Sequence, residues 1–513
     1  MIRYTSSSQL SLEGFAPFCD TLDENNRWVK LGRSLPWDRM ATVYYRSLSV
    51  DQGRPALDAR KVIGAMIIKH KMKTSDQETV EMISENPFQQ WFCGMSAFTT
   101  EKIFDPSLFV TLRKRMGGAA YEAMNQAILD LAEGRTGAKD ELSPRDPAAE
   151  DQDPPPPENK GELKIDATVA PQKIGYPTDL GLLNEAREIT EGLIDALWER
   201  DKSGTKPRTY RRNARKDFLL VIKKRKRTKK ELRKAIGKQL RYLRRNLRTI
   251  DRLCGELPWP LGHRALKRLR VVQEVYRQQL QMHTERVHRV DDRIVSISQP
   301  HVRPMVRGKA AANVEFGAKL NVALHEGMAW LDHLGWDAHN ESEWLIHQVE
   351  QYKQRYGHYP EAVNVDGIYG TRQNRAWLKE RGIRFVGKAL GRPSAESLTP
   401  QAKRALKKQM AQRNHVEGKF GQAKTAYGLG SIGAKRRDTS ESWIHATLLV
   451  INIFTLLPKL HERSGFFFGF LIRMVRNAME GIAACVLIAR SRVDQTMACR
   501  SLTGSVAQHH LAA

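Results

Sequence analysis

Three carboxylates lie where a sheet protein would place chemistry. In GELKIDATVAP, Leu163 and Ile165 alternate with Lys164 and Asp166, the period of a half-buried strand. Asp366 directly follows the apolar stretch AVNV and precedes Gly367. It therefore stands at the carboxyl end of an expected central strand, the edge where open α/β sheets collect ligands. Glu417 lies in QRNHVEGKFGQAK. On a helix Arg413, Glu417 and Lys424 would fall within about 40° of one another, on one face. Carboxylates are hard oxygen donors suited to Mg²⁺, and such a site needs no His/Cys cluster. Taken singly, each has an ordinary reading: a solvated strand aspartate, or a salt-bridged helix face worth a few tenths of a kcal/mol.

The elements that must hold these residues alternate in type. After the Asp166 strand, KAAANVEFGAKLNVALHEG reads as strand, ESEWLIHQVEQYKQRYG as a polar helix, and AVNVDGIYG as a strand. A helix around Arg372 to Arg381, a short strand in RFVGKAL and a long basic helix from about Gln401 through Lys424 follow. Strands interleaved with helices indicate an α/β domain with a mixed sheet, here spanning residues 163–460.

That domain is interrupted between about residues 185 and 295 by a basic helical hairpin. From Lys206 to Arg248 there are 20 Lys or Arg and two acids, Asp217 and Glu231. Within this stretch Leu232, Ile236, Leu240, Leu243, Leu247 and Ile250 recur at helical spacing, so the helix has an apolar inner face and a strongly basic outer one. Leu266, Leu269, Val272, Tyr276 and Leu280 supply a second stripe beyond the Pro258/Pro260 turn. The run Lys223, Lys224, Arg225, Lys226, Arg227 is its densest charge, and backbone contact with duplex DNA is the expected mode, because aromatics are too sparse for base stacking.

Residues 1–133 read as a helical unit. Ser75 with Glu78 three residues on forms a capping box ahead of Val80 and Ile83. In DPSLFVTLRKRM, Asp105 can cap, Pro106 suits a first helical position, and Leu108, Leu112 and Met116 recur every four residues. Residues 134–162, with Pro154 to Pro157, read as an extended linker. The 461–513 tail carries no assignment: Arg473, Arg476 and Glu480 interrupt its apolar run before a spanning length of about 18 residues. TLLVINIFTLL, residues 447–457, is too short to span and reads as a buried helix.

Lys plus Arg is 84 against 57 for Asp plus Glu, a formal net charge of +27, which points to a polyanion and to nucleic acid first. The five cysteines, Cys19, Cys93, Cys254, Cys485 and Cys499, form no C-x-x-C pair, so neither a zinc knuckle nor a disulfide framework is encoded. No basic region followed by an apolar run opens the chain. A cytoplasmic, nucleoid-associated protein with no membrane partner is the expectation.

Three segments in order carry a family resemblance. DATVAPQKIGYPTDLGLLNEAR, VNVDGIYGTRQNRAWL and the Arg413–Glu417–Lys424 segment resemble the first aspartate, second aspartate and glutamate segments of DDE transposases of bacterial insertion sequences, of the IS-four/IS-five type group. Met410 stands where that group usually has tyrosine. ENPFQQWFCG and DPSLFVTLRKR resemble the helical leader of the same enzymes.

The resemblance implies an RNase H-like catalytic domain and an active site of Asp166, Asp366 and Glu417 holding two Mg²⁺ ions, with Mn²⁺ a plausible substitute. Asp166 would bridge the ions, and Arg413 and Lys424 would hold phosphates. It implies cleavage at terminal inverted repeats of double-stranded DNA, strand transfer into target DNA, and a dimer on DNA. Two other readings stand beside it: a non-catalytic DNA-binding relic or repressor derived from a transposase, and an RNase H-like nuclease that hydrolyses without joining.

Overall fold

The computed structural model describes residues 22–48, 55–135, 158–201, 205–256, 261–309, 312–388 and 413–458, with isolated positions between 400 and 411. The Pro154–Pro157 run, Met410 and the tail beyond 458 lie outside the described residues.

The amino-terminal part is helical: α1 (Arg27–Ser34), α2 (Trp37–Tyr45), α3 (Ala59–Met72), α4 (Asp76–Glu85), α5 (Pro87–Phe92), α6 (Leu108–Arg115) and α7 (Gly118–Glu133). The capping box at α4 is present in both directions, Ser75 with Glu78. Helix α6 starts later than its sequence suggests. Asp105 accepts from the Ser107 N–H at 2.9 Å and so caps the preceding turn, while Leu112 and Met116 are buried as expected.

The sheet follows, with β1 (Glu162–Pro171), β2 (Arg303–Lys309), β3 (Ala312–His325), β4 (Met328–Gly335), β5 (Ala362–Asn364) and β6 (Arg384–Val386). Its order is β2-β3-β1-β5-β6, with β4 also paired to β3. β1 is antiparallel to β3 and parallel to β5, and β5 is parallel to β6, so the sheet is mixed. β2 and β4 pair with successive halves of β3.

Between β1 and β2 lie four helices rather than two: α8 (Asp179–Asp201), α9 (Arg211–Ile222), α10 (Lys229–Glu256) and α11 (His263–Glu285). They bury an apolar cluster of their own, in which Leu183, Leu197, Leu243, Ile250 and Val272 are almost fully enclosed. The stripe of α11 runs through Leu269, Val272, Val275 and Met282, while Leu266 and Leu280 stay exposed.

After β4 come α12 (Leu345–Tyr356), α13 (Arg372–Glu380), α14 (Asn414–Ala426) and α15 (Arg437–Pro458). α15 contains the apolar run at 447–457. It is long and apolar enough to cross a membrane, but 67% of its apolar window is buried inside the fold. Asn452 explains why it stays there. Its side chain accepts from the Ala329 N–H and donates to the Ala329 carbonyl, both at 2.8 Å, and donates to Asn125 Oδ1 at 3.1 Å. One polar side chain thus satisfies the β4 backbone and ties α7 to α15, which an apolar residue would leave unpaired. A single apolar cluster runs from α1–α7 through the sheet to α15.

Candidate active site

β1 and β5 set the first two carboxylates. Their parallel register pairs Leu163 with Val363 and Lys164 with Asn364. Carrying that offset two residues further sets Asp166 opposite Asp366, at the point where β5 has just ended. Successive strand side chains alternate faces, so Asp166 leaves β1 on the side of Lys164, opposite the buried Leu163 and Ile165. Asp366 opens the short 3₁₀ turn Gly367–Tyr369, its Oδ1 accepting from the Gly367 N–H at 2.6 Å.

The third carboxylate reaches this edge through an arginine. Arg413 Nη1 lies 3.2 Å from Asp366 Oδ2, and its Nη2 donates to Glu417 Oε1 at 3.0 Å. Arg413 therefore bridges Asp366 and Glu417. It does so from the N-cap position of α14 rather than from inside a helix, because the described helix begins at Asn414. Val416 and Ala423 are the buried residues of α14, and the Lys419 ammonium bonds to Thr455 on α15. That anchoring leaves Glu417 on the open side, where its side chain is 57% exposed.

Burial dominates the electrostatics of Asp166. Desolvation pushes its carboxyl up to about 6, opposed by the Ala167 N–H and by Arg413, and reinforced by Glu341 and Asp366. Ala167 N donates to Asp166 Oδ1 at 2.8 Å. The Tyr369 hydroxyl is buried without a hydrogen-bond partner. Burial raises its pKa, and Glu341, Asp166 and Asp366 raise it further.

Glu341 is the group that sequence reasoning missed. It begins a 3₁₀ turn, Glu341–Trp344, and Lys319 of β3 holds its Oε1 at 2.9 Å. Asn374 fastens this turn to the one after Asp366, its Nδ2 donating to the Ser342 carbonyl at 2.8 Å and the Tyr369 carbonyl at 2.9 Å. The only signal in the sequence was an acid following Asn340, which reads as an ordinary helix start.

The remaining candidates lie elsewhere. Lys424 is on α14 but faces Glu315 of β3 at 3.7 Å. Lys223 caps α9, and Lys224, Arg225, Lys226 and Arg227 form the exposed turn before α10. In that turn Lys224 pairs with Glu231 at 2.7 Å, and Arg227 donates to the Lys224 and Ile222 carbonyls.

The donor chemistry suits a hard divalent cation: three carboxylates, one of them half-buried, and a buried hydroxyl with no partner. Among the described residues no three acidic, His or Cys side chains stand together as a ready-made metal cluster. Arg413 supplies positive charge between Asp366 and Glu417 instead.

Residues 363–454 match the family described as a transposase DDE domain, and residues 17–115 match one described as a transposase domain. The first match contains Asp366, Arg413, Glu417 and Lys424; Asp166 lies outside both. Over 164 residues the chain is 31% identical to a Rhizobium meliloti protein named "uncharacterized protein ORF8 in nfe locus", an alignment covering 31% of this chain and 69% of that protein. No solved structure matches. With one transposase domain before the sheet and another running from β5 into α15, the chain belongs to the DDE transposases of insertion sequences.

Proposed function

We propose that this transposase cuts and joins DNA at a centre built from Asp166, Asp366 and Glu417, with an RNase H-like fold over residues 163–460. The observation that carries the proposal is the parallel β1/β5 register, which brings Asp166 beside Asp366, together with the Arg413 bridge that brings Glu417 to the same edge. The sheet order supports the fold reading: an antiparallel β4-β3-β1 set extended by the parallel strands β5 and β6.

Asp166, Asp366 and Glu417 would hold Mg²⁺ or Mn²⁺, two ions in all, which when bound activate an oxygen nucleophile and neutralise charge on the phosphate. Half-buried Asp166, held on β1, gives the fixed point of the set. Asp366 and Glu417 become available as Arg413 leaves them, and the freed guanidinium then faces the substrate phosphate, a planar fork matched to that group. Lys424, further along the same helix, would add a second cation on leaving its pair with Glu315.

Hydrolysis at the element end breaks one P–O3′ bond and leaves a 3′ hydroxyl. That hydroxyl then attacks a target phosphate and displaces the target's 3′ oxygen. The helices within residues 1–133 would recognise terminal inverted repeats, residues 134–162 would link them to the catalytic domain, and two protomers would hold two ends in the bacterial cytoplasm.

The test is a single-turnover reaction on a labelled duplex carrying the flanking terminal repeat, with Mg²⁺ or EDTA, alongside Asp366→Asn. Metal-dependent nicked and strand-transferred products lost in the variant support the proposal. Salt-sensitive binding without cleavage by either protein would leave a DNA-binding relic.

A further inference from the structure

The outer face of α10 carries a row of exposed arginines, most of them without a side-chain partner among the described residues. Arg241, Arg244, Arg245, Arg248 and Arg252 are all exposed, and among the described residues none makes an ion pair. With Thr249 they line an open concavity of about 400 Å³. At about 100° per residue, Arg241, Arg244, Arg248 and Arg252 fall within roughly 80° of one another, opposite the buried Leu240, Leu243, Leu247 and Ile250. The row is fixed to a rigid support, because that inner face packs in the apolar cluster shared with α8 and α11.

One member is held in place. The Arg245 guanidinium lies 4.4 Å from the Tyr210 ring centroid and 5.9 Å from that of Tyr242. The Lys223–Arg227 turn is built differently. Lys224 pairs with Glu231, and Arg227 closes the turn onto two backbone carbonyls. Lys224 and Arg227 are thus engaged in forming the turn, and its other cations, Lys223, Arg225 and Lys226, crowd within four residues, whereas Arg241, Arg244, Arg248 and Arg252 present free donors spread over about three helical turns.

We propose that Arg241, Arg244, Arg248 and Arg252 form a track for the phosphate backbone of duplex DNA, and that this track, not the Lys223–Arg227 turn, supplies most of the electrostatic DNA affinity of the helical insertion. A helix rises about 1.5 Å per residue, so the row spans about 16 Å. One DNA strand offers a phosphate about every 3.4 Å along its axis, so four guanidinium groups can each meet a different phosphate. Arginine's fork can contact a phosphate through two N–H donors at once. No exposed aromatic row lies along this face, which favours backbone contact with a duplex over stacking on single-stranded bases. The inference rests on DNA as the partner but not on the identity of the catalytic residues.

The experiment measures equilibrium binding of the full chain to a random-sequence duplex, without divalent metal, from 50 to 200 mM salt. Three variants are compared with the wild type: R241Q/R244Q/R248Q/R252Q, the same four positions changed to Lys, and K223Q/R225Q/K226Q. Each phosphate contact contributes about 0.9 to the slope of log affinity against log salt, so the quadruple Gln variant loses about 3 to 4 from that slope. The Lys variant keeps most of the slope, which separates lost charge from damaged folding, and the turn variant, whose three cations are confined to one short turn, loses less than the track variant. A Gln variant that melts like the wild type and keeps its slope, or a turn variant that loses more than the track variant, overturns the proposal. Wild-type protein with no salt-dependent duplex binding overturns both the track and the DNA-acting reading. Loss of cleavage with binding intact bears on the carboxylate centre alone.

Discussion

Replacing Asp166 with Asn should make the metal-free protein more stable at pH 7 while abolishing strand cleavage. Burial lifts the Asp166 carboxyl from 3.8 to about 6, and Glu341 and Asp366 add to the lift against the pull of Ala167 N–H and Arg413. Between these values the unfolded chain has released a proton that the folded chain still holds. Stability therefore falls as pH rises from about 4 to about 6, and the full penalty applies above that window. At 1.36 kcal/mol per pKa unit the penalty is about 3 kcal/mol. Asn keeps the Oδ1 that accepts from Ala167 and carries no charge to desolvate. Urea denaturation in EDTA, followed by tryptophan fluorescence, should show the variant's midpoint above the wild type's at pH 7 and the two converging at pH 4. Mg²⁺ should then stabilise the wild type and not the variant, since only a ligand of the folded state raises its stability. A variant less stable than wild type at pH 7, or a stability gap that does not change between pH 4 and 7, would refute this reading of the Asp166 environment.

Three further outcomes are expected. Arg413→Ala removes the cation shared by Asp366 and Glu417, so Mn²⁺ affinity measured by calorimetry should rise several-fold while affinity for the cleavable end falls; unchanged metal affinity would argue against a shared seat. Glu341→Gln removes a like charge near Asp166 and should narrow the pH window of the metal-free stability loss, moving its upper end below about 6. Asp76→Ala strands two cations, Lys69 at 2.9 Å and Arg113 at 2.6 Å, whose side chains are 2% and 11% exposed. That change should cost about 3 kcal/mol or more in thermal denaturation, as expected for a buried charge left without its partner, and a loss below about 1 kcal/mol would contradict it.

Local chemistry was readable from the chain and tertiary choice was not. The Ser75–Glu78 box, the alternation of β1 and the apolar run of α15 each depend on residues a few positions apart, and each is found where expected. Arg413 was expected inside a helix with Glu417, because an i,i+4 spacing is satisfied equally from the N-cap. Helix α9 was hidden among basic residues. Its burial rests on Ala214, and its fastening comes from distant partners: Gln239 donating to the Ala214 carbonyl, and Lys238 and Tyr242 on Asp217. The stripe of α11 shifted because the face a helix buries is decided by what packs against it. Glu341 joins the candidate site only through the fold, where Lys319 and Asn374 hold its turn beside Asp366. Lys424 was assigned to Glu417's face by spacing, and one helix does carry both, but its partner Glu315 on β3 is distant in sequence and could not be read from the chain.

The central claim is that Asp166, Asp366 and Glu417 form one metal-dependent centre for DNA cutting. It is tested most directly by anomalous scattering from Mn²⁺ in a crystal of the protein bound to a terminal-repeat duplex. The expected result is manganese density contacted by Asp166 and Asp366, with Glu417 completing the site and Arg413 withdrawn from both carboxylates onto a phosphate. Ordered manganese at the scissile phosphate with Asp166 or Asp366 outside its coordination shell would contradict the claim.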